Sequence, residues 1–93
     1  MRLKPFEVEA FRRAVKARDP NARLFLFGSR VNDQARGGDI DLLCLSTQLT
    51  WQHRREIRVE ILKAIGDQKL DFVLAQDCTH PFVQLILPQA IEL

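Results

Sequence analysis

The chain has 93 residues, 46% of them hydrophobic, with 14 Lys and Arg against 12 Asp and Glu for a formal charge of +2. That length holds a single domain, residues 1–93, around one core, with no room for a second. The balanced charge gives no argument for nucleic-acid binding, which needs clustered Lys and Arg, and no apolar run reaches the ~20 residues of a membrane helix.

The N-terminal stretch MRLKPFEVEAFRRAV interleaves charges with its apolar positions and lacks the apolar block of a signal peptide, so a cytoplasmic protein is expected. From Pro5 to Arg18, Val8, Phe11 and Val15 recur at helical spacing among alanines, which predicts a first helix. Pro5 suits its first turn, and Asp19-Pro20 ends it. Its Arg12, Arg13, Lys16 and Arg18 form a solvated face with no assigned role.

Leu24 to Phe27 is apolar throughout, as in a short strand covered on both faces. Gly28-Ser29 stops it, a helix of one or two turns is expected between Ser29 and Gln34, and Gly37-Gly38 reverses the chain into a second strand, Asp39 to Leu45, antiparallel to the first. Residues two apart in a strand share a face, so Asp39 and Asp41 project together. Two carboxylates on one face repel unless a cation lies between them, and a hard, oxygen-preferring ion such as Mg2+ suits them. Gly28, without a Cβ, lets an anionic group come close to the amides that follow. Ser29 stands at a helix start with Arg30 beside it, and together the three form a phosphate site. A phosphate cradle next to a metal-binding carboxylate pair implies chemistry on a metal-bound nucleoside triphosphate.

Ile57, Ile61 and Ile65 predict a second long helix from Trp51 to Ile65, with Thr50 as N-cap and Gly66 as stop. Its polar face, His53 to Lys63, is expected to be solvated, and Trp51 to pack at the edge of the core. Leu70 to Leu74 alternates as a third strand with Asp71 in its middle, where a buried carboxylate is costly unless its charge is offset; the alternative is an Asp at a sheet edge facing water. His80 to Leu87 predicts a last helix, bounded by Pro81 and Pro88 and apolar on most sides. Its cover is either the core, with Ile91 and Leu93 beside it, or a partner. Cys44 and Cys78 lack metal-ligand spacing and are expected as idle thiols; His53 and His80 are expected to be structural or solvent-facing. The order is α-β-α-β-α-β-α, an α/β fold with a small mixed three-stranded sheet flanked by helices.

The run Phe27-Gly28-Ser29, nine intervening residues, then Asp39-Ile40-Asp41-Leu42, resembles the signature of the DNA polymerase β-like nucleotidyltransferase superfamily. The form GSR followed by RGGDIDL is similar to its minimal nucleotidyltransferase branch, small proteins often encoded beside a helical HEPN partner in toxin–antitoxin pairs. The resemblance implies that Asp39 and Asp41 hold one or two Mg2+ ions and that Gly28, Ser29 and Arg30 hold the β- and γ-phosphates of ATP. It makes Asp71 a third carboxylate that completes the metal site or accepts the proton of the attacking hydroxyl. Arg36 occupies the place of a basic residue before the paired aspartates, where it either approaches the triphosphate or is an idle loop residue. The expected reaction is transfer of AMP to a HEPN-type toxin, because the chain has nothing left over to hold an acceptor of its own. The alternative is a non-catalytic antitoxin or scaffold that blocks its partner by occupying it.

Overall fold

A computed structural model describes residues 1–36 and 38–93. The α/β expectation holds, with one strand more than predicted. Helix α1 spans Pro5–Lys16, followed by strand β1 (Arg23–Phe27), a 3-10 turn (Gly28–Val31), β2 (Ile40–Leu45), α2 (Trp51–Ile65), β3 (Leu70–Ala75), α3 (Pro81–Ile86), a second 3-10 turn (Leu87–Gln89) and β4 (Ile91–Glu92). The sheet order is β3-β2-β1-β4. Strand β2 is antiparallel to β1, as the predicted reversal required, and parallel to β3, to which α2 carries the chain across. Of the Gly37-Gly38 pair assigned to that reversal, Gly37 lies outside the described residues; Gly38 has a positive φ of 91°.

Strand alternation divides the apolar residues between two faces. Leu24, Leu26, Ile40, Leu42, Cys44, Leu70 and Phe72 pack under α1 and α2, against Phe11, Val15, Ile57 and Ile61. Phe25, Leu43 and Leu45 form a smaller cluster on the other face with Val83 of α3. The larger cluster supplies most of the burial; the smaller face leaves room at the end of the sheet where β2 begins.

Buried polar groups on this scaffold are paired. Glu7, 3% exposed, accepts the Lys4 N–H at 2.9 Å and the Gln68 side-chain amide at 3.1 Å. Asp19 accepts the Asn21 N–H at 3.0 Å and the Ser46 hydroxyl at 2.6 Å, which closes the chain reversal after α1. Both histidines cap helix starts, within the expected structural or solvent-facing roles: the Nδ1 of His53 accepts the Thr50 N–H at 3.0 Å, and that of His80, which is exposed, accepts the Phe82 N–H at 3.1 Å. Cys44 is buried, and its thiol is pushed up to about 12 by that burial; Cys78 is exposed, and both are free.

Two expectations are corrected, and for Asp71 the alternative of a carboxylate facing water holds. The tail, expected beside the last helix through Ile91 and Leu93, is instead an edge strand: Ile91 and Glu92 pair with Leu26 and Phe25, fastened by a two-pronged Arg23–Glu92 ion pair at 2.9 and 3.0 Å. Trp51 is 69% exposed, with the Arg54 guanidinium 4.9 Å from its ring, because α2 turns its first residue away from the sheet. Asp71 is exposed, since the face of β3 that carries it is not covered by α3 at that end. Among the described residues no helix is long and apolar enough to cross a membrane.

Candidate active site

Asp41 is the second residue of the central strand and sits between two neighbours in register, Phe27 of β1 and Asp71 of β3. Parallel pairing puts the side chains of Asp41 and Asp71 side by side on the α3 face, about one inter-strand spacing (~4.8 Å) apart at the backbone. The Asp41 carboxyl is pushed up to about 6, first by partial burial, then by the charge of Asp71 and a hydrogen bond with it, and least by the charge of Asp39. Asp39 lies just outside β2, which begins at Ile40, and is exposed. The sequence therefore identifies the acidic residues, but their grouping is uneven: Asp41 and Asp71 form a close pair, with Asp39 as an outlying charge.

Among the described residues no three His, Cys, Asp or Glu side chains are gathered so as to hold a metal ion. Two repelling carboxylates at the end of a parallel strand pair nonetheless fit a hard cation. Such an ion takes one or two protein carboxylates and fills its remaining positions with water and phosphate oxygens.

The turn after β1 is shaped around Asp41. Gly28 has φ +76°, and a Cβ built on it would stand 2.3 Å from Asp41 Oδ2. No side chain fits there, so the backbone lies directly against the carboxylate. Gly38 repeats the arrangement one loop later: with φ +91°, its Cβ would stand 2.2 Å from Ser29 Oγ. The hydroxyl of Ser29 thus rests on Gly38 and the carboxylate of Asp41 on Gly28, which brings the two expected functions, phosphate binding and metal binding, to one corner of the molecule.

Arg30, expected as a phosphate donor, contacts backbone carbonyls. Its Nε donates to the Gly38 carbonyl at 3.3 Å and its Nη1 to the Arg2 carbonyl at 3.0 Å, so the guanidinium is turned onto the backbone. Arg36 is exposed on the loop ahead of Gly38. Beside the turn, Phe27, Gly28, Leu85, Ile86 and Gln89 line a cleft of about 240 Å³. Its floor is the Phe27 ring, set edge-on to Phe82 at 6.0 Å between centroids, and α3 leaves Leu85 73% exposed at its rim.

Sequence reasoning missed the cleft, which needs two elements 58 residues apart (Phe27 to Leu85), and it missed Arg2, whose contacts reach residues 29 to 32 with no local pattern to announce them.

Residues 8–87 match the family model described as "Nucleotidyltransferase domain". Comparisons with curated proteins and with solved structures find no match.

Proposed function

The chain belongs to the nucleotidyltransferase domain family, and from that premise we propose that it transfers AMP from ATP to a hydroxyl of a partner protein, a HEPN-type toxin, and acts as that toxin's antitoxin in the cytoplasm. The observation that carries the catalytic part is the in-register Asp41–Asp71 pair, with Asp41 lying against the Cβ-less Gly28. Asp41 and Asp71, with Asp39 at the periphery, are the residues that would hold Mg2+. Bound there, the ion neutralises the triphosphate and favours in-line displacement at the α-phosphorus.

The chain's own groups supply the rest. The Gly28 backbone and the Ser29 hydroxyl receive the β- and γ-phosphates, with Arg30 bracing the turn that presents them. Asp71, the exposed member of the pair, faces solvent, from which an acceptor arrives, and takes the proton of the attacking hydroxyl. A bond forms between the acceptor oxygen and the α-phosphorus, the bond from that phosphorus to the bridging oxygen breaks, and pyrophosphate leaves. ATP labelled at the α-phosphate tests this directly: label passes to protein only with Mg2+ present and not in Asp41→Asn. Transfer of label from the γ-phosphate instead would make the protein a kinase and overturn the assignment.

One observation favours a second, binding-only role. Phe82 and Leu85 are exposed on the face that carries the acidic pair, 39% and 73% respectively. A partner seated on them would cover the acidic corner, so occlusion alone could neutralise it. Neutralisation that survives Asp41→Asn and fails in Leu85→Asp supports this role; the reverse pattern supports transfer.

A further inference from the structure

The turn that presents Ser29 is short, exposed and held by few bonds of its own: the Asn32 N–H donates to the Ser29 carbonyl at 3.1 Å. Its remaining order comes from elsewhere in the chain. The backbone N–H of Arg2 donates to the Arg30 carbonyl at 2.7 Å, Arg2 Nε to the Asn32 carbonyl at 2.9 Å, and Arg2 Nη2 to the Ser29 carbonyl at 3.1 Å. Arg30 returns the contact through Nη1 to the Arg2 carbonyl at 3.0 Å and reaches across to Gly38 through Nε at 3.3 Å. Leu3 and Val31, next to these two arginines, both pack on the larger core cluster and fix the two segments to the body of the domain.

We infer that Arg2 and Arg30 form a reciprocal clasp whose function is to hold the carbonyls of the turn back and so keep its N–H groups and the Ser29 hydroxyl aimed at the phosphate position. Arg2 is a positioning residue, and Arg30 acts with it in the same role. The physical reason is the choice of acceptors. The Arg2 guanidinium adds a second hydrogen bond to the Ser29 and Asn32 carbonyls, which the Asn32 and Ala35 N–H groups also hold, and the Arg30 guanidinium ties the turn to the Arg2 and Gly38 carbonyls, so these oxygens stay turned away from an anion. A Lys in either place carries its donors on one nitrogen and cannot reproduce the rigid fork by which separate guanidinium nitrogens meet two carbonyls at once. The effect on nucleotide rests on the proposed nucleotide site; the effect on the turn does not.

The test uses the full chain and four variants: Arg2→Ala, Arg2→Lys, Arg30→Ala and the double Arg2→Ala/Arg30→Ala. Amide hydrogen exchange is followed at residues 29 to 32, and steady-state kinetics are measured with Mg-ATP. The clasp predicts faster exchange at the turn in every variant, with the melting temperature little changed. It predicts a KM for ATP raised about tenfold with kcat within about twofold, as expected for lost hydrogen bonds to ordered backbone. It further predicts a double variant no worse than the poorer single, because either deletion opens the same clasp, and no rescue by Arg2→Lys. Unchanged exchange and KM in Arg2→Ala, with a raised KM in Arg30→Ala alone, would overturn it and return Arg30 to direct phosphate contact. Additive losses in the double variant would overturn it as well. If the wild-type chain does not bind Mg-ATP, the proposed function falls, and exchange at the turn still decides the clasp.

Discussion

Asp41 is the residue on which stability and function pull in opposite directions. Its folded-state pKa of about 6 lies above the unperturbed 3.8. Between those values the folded chain keeps a proton that the unfolded chain has lost, so this group's contribution to stability is complete below about pH 4 and is lost as pH rises through 6. Without divalent cation, the melting temperature of the wild type is therefore expected to fall between pH 4 and 7, and that of Asp41→Asn to stay flatter and lie higher at pH 7. Melting curves across that range check it, and a wild-type melting temperature that rises with pH contradicts it. Gly28→Ala is the complementary change. A Cβ 2.3 Å from Asp41 Oδ2 at φ +76° must push the turn or the carboxylate aside. The expected cost is about 1–3 kcal/mol, measured by denaturant unfolding, together with loss of transfer. The acidic residues and Gly28 were legible in the sequence because motif spacing and strand alternation speak directly to them. Whether Asp71 faces solvent or is buried was left open by the sequence, since alternation says which face a residue takes but not whether another element covers that face.

At the scale of elements, the long amphipathic segments were the most readable. The second helix is predicted over Trp51 to Ile65 and spans Trp51–Ile65, because a capping Thr, a row of isoleucines and a terminal Gly all mark the same limits. Its cap involves the side chains of both Thr50 and His53, so Thr50→Ala is expected to cost about 1 kcal/mol in thermal or denaturant unfolding. Strand β4 went unpredicted because two residues, Ile91–Glu92, are too few to show alternation; their pairing is decided by the open edge of β1 and by Arg23. The outer edge of β3 has a related device: Arg54 and Arg58 of α2 donate to the Phe72 and Leu70 carbonyls at 2.7 and 3.3 Å. These side chains occupy an edge that would otherwise be open to another strand. Phe72 itself is fully buried between the sheet and α2, and Phe72→Ala is expected to destabilise by about 3–5 kcal/mol, read from the unfolding midpoint.

On the scale of the whole molecule, the two faces of the sheet have different work. The face under α1 and α2 carries the larger core, while the face under α3 is thinner and stops short of the end where Gly28, Asp41 and Asp71 meet. An open acidic corner with exposed Phe82 and Leu85 beside it is the surface on which the proposed transfer to a partner rests. The measurement that bears most directly on this account is the intact mass of a protein co-purified with this chain from its own host, before and after Mg-ATP, with Asp39→Asn/Asp41→Asn as control. The partner is expected to gain the mass of one or more AMP groups, and the gain to disappear with the variant. A partner that remains bound, neutralised and unchanged in mass with the wild-type chain would contradict catalysis and leave occlusion as the function.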